Sequence, residues 1–131
     1  MTERSGVRVR EHVAMPFLEI SGTRAALGSL GAHLRAERGT LDLTRDEDPT
    51  PYDHALAQLE HARTEDLLLV TVSPDHRALR VTGSRPALDF LADELVEFAR
   101  DATDDYTVQF EHLPDDPYIH PGTIPFLIRF R

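Results

Sequence analysis

Apolar and polar positions along this chain follow two periods, and the switch from one to the other occurs twice. Leu79–Gly83 reads as a strand, and from Ser84 to Arg100 the spacing predicts an amphipathic helix. Leu88, Leu91, Leu95 and Phe98 recur at helical intervals with Ala92 and Ala99 beside them, while Asp89, Asp93, Glu94 and Glu97 take the other side. Ser84 suits the N-cap, and Pro86 falls in the first turn, where a missing N–H costs nothing. Tyr106–His112 returns as a strand. An earlier stretch has the same grammar: Ile20–Leu34 aligns with Val81–Leu95 without a gap, matching Ser/Thr, Gly, Thr/Ser, Arg, Ala and three leucines. The alignment predicts a duplicated strand-turn-helix unit.

Taken in order, Val7–Val13 alternates as a half-buried strand and Pro16 punctuates it before a second strand, Phe17–Ser21. Gly22-Thr23 turn the chain into a helix expected over about Arg24 to Arg38, with Leu27, Leu30 and Leu34 as its buried stripe. Gly28 and Gly31 weaken this helix by up to about 1 kcal/mol each relative to alanine, which close packing against a sheet would explain. Gly39 reads as its C-cap and Thr40–Leu43 as the returning strand. Residues 44–51 form a polar, proline-interrupted loop. Between Tyr52 and Arg63, Leu56 and Leu59 suit a helix by spacing, yet Leu59–Ala62 fits a strand equally; the need to cover a sheet edge favours a strand from about Ala57 to Arg63. Asp66–Ser73 is strand-like, Pro74–Arg77 is a turn into the strand at Leu79, and each half therefore reads β-β-α-β. A proline-rich loop at 113–122 precedes a last strand in which Ile124, Phe126, Ile128 and Phe130 share a face. Pro125 places that strand at an edge or delays its pairing. The expected architecture is a single α+β domain: repeat one at about 7–43, a linker at 44–63, repeat two at about 66–112 and a C-terminal strand at 124–130. Two helices pack on a mainly antiparallel sheet, related by an approximate internal twofold.

Composition narrows the function. A chain of 131 residues, 40% hydrophobic, is long enough for one core that buries roughly two thirds of its unfolded surface. Cysteine is absent, which removes disulfides, thiolate metal sites and a cysteine nucleophile. The polar first ten residues lack the apolar run of a signal peptide or membrane span, so a cytoplasmic location is expected. A net charge of −9, from 23 acidic and 14 basic residues, repels phosphate backbones and argues against a nucleic-acid binder. It favours a basic partner, or serves solubility alone.

Candidate chemistry is sparse. The glycines match no phosphate-binding loop, and the Ser-Gly-Thr and Thr-Gly-Ser turns, although able to hold an anion, recur as helix starts. His54 and His61 would share a face with Glu60 only on a helix; on a strand they span roughly 23 Å. His112, Asp115, Asp116 and His120 surround the proline-rich loop, where such residues also serve turns. The carboxylate runs Asp46-Glu47-Asp48, Asp104-Asp105 and Asp115-Asp116 lie in loops, where solvation keeps their acidity ordinary. No nucleophile motif occurs. The expectation is a non-enzyme with no catalytic residues, no metal and no cofactor.

Ile-Ser-Gly-Thr-Arg-x-Ala-Leu before a helix, Thr-Leu-Asp-Leu, the acidic loop into Pro51-Tyr52-Asp53, Leu-Arg-Val-Thr-Gly before a second helix and Pro117-Tyr118-x-x-Pro121-Gly122 together resemble a family of bacterial immunity proteins of polymorphic toxin systems, the one numbered thirty-two. The resemblance covers roughly residues 17 to 128. It implies a small cytosolic protein that binds and neutralises a cognate toxin, whose identity it does not specify. Loop aromatics beside carboxylates then become interface candidates: Asp46, Glu47, Asp48, Tyr52, Asp53, Asp115, Asp116 and Tyr118. Both tyrosines could instead pin their loops to the sheet. The competing functions are a structural or regulatory module that homodimerises through a sheet edge, and a small metal protein using the His112–His120 region.

Overall fold

The computed structural model describes residues 5–45 and 47–131. Eleven elements follow in order among them: β1 (Arg8–His12), β2 (Phe17–Gly22), α1 (Arg24–His33), β3 (Arg38–Asp42), β4 (His54–Ala55), β5 (Gln58–Arg63), β6 (Leu69–Val72), β7 (Ala78–Gly83), α2 (Arg85–Asp101), β8 (Thr107–Phe110) and β9 (Phe126–Phe130). The α+β class and the two packed helices are as expected, but the strands divide into two sheets. One has the order β4-β1-β2-β9-β8 and the other β3-β5-β7-β6.

The division follows from where each helix delivers the chain. β1 and β2 form an antiparallel hairpin in the first sheet, yet α1 hands the chain to β3 in the second. β6 and β7 form the corresponding hairpin in the second sheet, and α2 hands the chain to β8 in the first. The first sheet consequently joins strands from both ends of the chain, β1 and β2 with β8 and β9, while the second is built from the middle, residues 38–83. The seams are parallel: β2 runs beside β9 and β5 beside β7, while the remaining pairings are antiparallel. Both sheets are thus mixed. The stretch expected as a linker supplies β4 and β5, and β5 is an interior strand whose Leu59 and His61 face the core. β9 is interior too; its pairing begins at Phe126, one residue after Pro125, whose carbonyl accepts from Leu18 N at 2.9 Å.

Both helix starts fit their sequences. Thr23 and Ser84, which occupy aligned positions, stand in extended conformation and accept from the N–H three residues on, at Ala26 and Ala87. Their ends differ. α1 stops at His33, five residues before the expected Arg38, because the chain tightens into i→i+3 bonds from Arg35 to Ala32 and from Ala36 to His33. Gly39 is accordingly no C-cap. It sits in β3 opposite His61, where a Cβ would come within 2.8 Å of His61 Nε2.

Leu27, Leu30, Leu34, Leu88, Leu91 and Leu95 are all buried between the helices and sheets in one apolar cluster. Gly31 serves the helix crossing and not a sheet: a Cβ there would lie 2.9 Å from both the Ala92 carbonyl and Val96 Cγ2. Positions 31 and 92 are aligned with each other in the sequence, and they meet at this crossing. Arg24 fastens the helices at their other end by donating to the carbonyls of Ala99 (2.9 Å) and Ala102 (2.5 Å) and to Asp104 (2.9 Å), a cation placed where the α2 carbonyls run out of partners. Among the described residues no helix is long and apolar enough to cross a membrane.

Candidate functional site

The outward side of α2 carries the most developed surface feature. Aromatic rings climb from β9 to the surface along two routes. Phe126 stacks on Phe110 at 5.0 Å, Phe110 meets Phe90 edge-on at 6.2 Å, and Phe90 stacks on Tyr118 at 4.7 Å. Further along the helix, Phe130 stacks on Phe98 at 4.5 Å and Phe98 meets Tyr106 at 6.2 Å. The first route starts in the core at Phe126 and the second at the partly buried Phe130; they end on exposed tyrosines, Tyr118 at 40% and Tyr106 at 55%. Both tyrosines rest on supported rings, so presenting them costs little conformational entropy.

Beside Tyr106 lies an open groove of about 470 Å³, lined by Phe98, Ala102, Tyr106 and Val108 together with Glu94, Glu97 and Asp101. These acids differ in state. Asp101 is held bidentate by Arg100, at 3.0 and 2.9 Å, and its pKa falls on that account. Glu94 and Glu97 have no ion-pair partner among the described residues. Burial raises the Glu94 pKa, and the neighbouring charges of Glu97 and Asp93 push it further. The groove is therefore apolar with a rim of three carboxylates beside one guanidinium, Arg100, which suits a further cation on an apolar stem.

The residues expected from sequence fall into two groups. Asp115, Asp116 and Tyr118 sit beside α2. Asp116 accepts from the N–H groups of Tyr118 (2.8 Å) and Ile119 (3.0 Å), bonds that lower its pKa and set the loop under the Tyr118–Phe90 stack; Asp115 adopts φ +63°. Glu47, Asp48, Tyr52 and Asp53 belong to the loop before β4, on the first sheet. Asp46 lies outside the described residues. Asp48 accepts from Thr50 N at 3.0 Å and Thr50 Oγ1 at 2.5 Å, which depresses its pKa, and Glu47 is exposed.

Tyr52 is turned inward. Its hydroxyl donates to Glu19 Oε2 at 2.9 Å, the other Glu19 oxygen accepts from Arg10 Nη2 at 2.6 Å, and the Arg10 guanidinium lies over the Tyr52 ring at 4.6 Å. Arg10 and Glu19 are buried at 8% and 2% exposure, facing each other across β1 and β2. Burial and the Glu19 carboxylate push the Tyr52 pKa up to about 12. The loop is anchored further by Asp53, which accepts from Val13 N at 2.8 Å. Tyr52 thus serves as a lid on a buried ion pair.

The histidine pairing considered from spacing does not form. His54 is in β4 of one sheet and His61 in β5 of the other. His54 stacks on His76 at 4.6 Å, whereas His61 meets His33 edge-on at 4.8 Å, with both His61 nitrogens and His33 Nε2 buried without partners. His112 Nδ1 bonds the Ile119 carbonyl at 2.7 Å and His120 Nδ1 accepts from Gly122 N at 2.8 Å, so both brace the loop. Sequence reasoning missed Tyr106, Phe98, Glu94 and Glu97 as surface chemistry, because an amphipathic helix displays acids outward whether or not a groove lies beneath them.

A protein-family model described as Immunity protein 32 matches residues 18–55 and 78–130. No curated protein and no solved structure matches the chain. The unmatched interval, 56–77, takes in β5 and β6.

Proposed function

Since the chain belongs to the Immunity protein 32 family, we propose that it binds and neutralises a cognate toxin domain in the cytoplasm, and that the toxin seats a basic, apolar-stemmed side chain in the groove of α2. The observation that carries this reading is the pairing of an aromatic floor with two unpaired glutamates, Glu94 and Glu97, on its rim. An arginine or lysine entering there gives Glu94 the counter-charge it lacks, while Phe98 and Tyr106 pack against the stem. The net charge of −9 speeds capture of a basic target, and inhibition by contact alone needs no catalytic group. Asp115 and Asp116 extend the acidic rim towards Tyr118. Glu47, Asp48 and Asp53 stand apart, on a loop whose tyrosine is already engaged with Glu19.

Co-expression with the cognate toxin domain tests this. The wild-type protein should restore growth, and a Glu94→Lys/Glu97→Lys variant that melts like the wild type should not. Failure of the wild type to protect would overturn the function; full protection by the variant would overturn the site.

A further inference from the structure

Glu11, His54 and His76 come together from three separate places in the chain, and each offers a ligand atom within 4.8 Å of the others. We propose that they form a binding site for a zinc-class divalent cation that ties the first sheet to the hairpin turn of the second. Glu11 is on β1, His54 faces it across the antiparallel β1–β4 pairing, and His76 stands in the turn between β6 and β7.

Three observations converge. First, the Glu11 carboxylate is only 5% exposed, yet among the described residues its one side-chain partner is His76 Nδ1, at 2.8 Å. A buried carboxylate normally has a full counter-charge, and the ion-pair partner of this one is His76 alone among the described residues; a dication adds the charge that a neutral imidazole does not. Second, the two imidazoles are stacked at 4.6 Å and 18° beside that oxygen, while both remain half-buried and open to an ion from solvent. Third, His76 adopts φ +59°, a left-handed conformation that glycine or asparagine occupies more cheaply. The turn around it is tied down: Ser73 Oγ bonds Asp75 at 2.5 Å and Ala78 N at 3.0 Å, and His76 N donates to the Ser73 carbonyl at 2.9 Å. An imidazole in that position is therefore directed at β4 by a fixed backbone.

Two imidazoles and one carboxylate are borderline ligands that suit zinc, nickel or copper better than calcium or magnesium. Ligand atoms on a tetrahedral zinc ion lie roughly 3.4 Å apart. Coordination requires the Glu11–His76 contact to open from 2.8 Å and the stacked imidazoles to turn so that each presents a nitrogen to the ion. Three protein ligands leave the remaining position to water. β1 and β8 are three strand spacings apart, about 14 Å, so the cation stands clear of the α2 groove.

The experiment is zinc titration of the purified, tag-free protein after chelator treatment, read by calorimetry, by melting temperature and by the imidazole NMR signals of the wild type. One zinc per chain should bind, raise the melting temperature and shift the His54 and His76 signals while those of His112 and His120 stay in place. His54→Gln and His76→Asn should each weaken binding tenfold or more, and His112→Ala should not. Absence of saturable binding, shifts confined to His112 and His120, or unchanged affinity in both variants would overturn the site. The NMR arm decides the matter even if a variant fails to fold.

Discussion

The two helices run in step through their aligned residues and part at one place. At His33 α1 ends; at the aligned Glu94, α2 continues to Asp101, about two further turns. The strands beneath match as well. β9 sets Ile128 between Ile20 and Val108, and β5 sets His61 between Val81 and Gly39, the same pairing in the opposite sheet. One corner is filled by Ile128 paired with Val108, and the extra turns of α2 supply Phe98 and the carboxylates that line the groove. In the other, the shortened α1 leaves its last residue, His33, against His61 over a glycine that has no room for a Cβ. Similar strand pairings therefore border an open groove on one side and a corner holding two histidines on the other. The groove lies along the turns of α2 that have no counterpart in α1.

The largest effects should come from the buried leucines at positions aligned in the sequence. Leu34 and Leu95 occupy aligned positions and are each 1% exposed. Truncating either to alanine should cost about 2–5 kcal/mol, with the two values close together in denaturant unfolding. A cost confined to one of them would break the equivalence.

The His61 corner should give a smaller, pH-dependent effect. Burial lowers the His61 pKa, and the neighbouring His33 lowers it further. As the pH falls, the unfolded chain takes up this proton first, near the ordinary value of 6.5, while folded His61 resists it. The contribution is thus fully present above that value and is lost as the pH drops towards the depressed folded pKa. Melting temperature followed from about pH 7 to about pH 5 should fall less steeply in His61→Leu than in the wild type. Parallel curves would show that the corner does not couple to protonation.

Much of this was legible in the chain because local rules carried it. Ser84 and Thr23 cap helices by their own hydroxyls, and the leucine stripes face the core as their spacing requires. β5 was readable from Leu59–Ala62, but its interior position was not, since that depends on α1 delivering β3 to the opposite sheet. The short end of α1 was obscured because Leu34 to Arg38 continues a helical composition that tertiary pairing at Gly39 overrides. Among the site residues, Tyr118 could be picked out as a loop aromatic, and the structure places it on Phe90. Tyr52 was equally visible, yet its engagement with Glu19 depends on a buried pair formed across β1 and β2. Nothing local announces that Glu11, His54 and His76 meet, because only the β6–β7 turn of the other sheet brings them together.

Affinity for the cognate toxin domain, measured by calorimetry on folded variants, tests the central claim most directly. Tyr106→Ala should weaken binding about tenfold or more while leaving stability within about 0.5 kcal/mol. Ser29→Arg, at the exposed α1 position aligned with Phe90, should leave affinity unchanged. Equal affinities for the wild type and Tyr106→Ala, or a loss with Ser29→Arg alone, would contradict the assignment of toxin binding to the extended turns of α2.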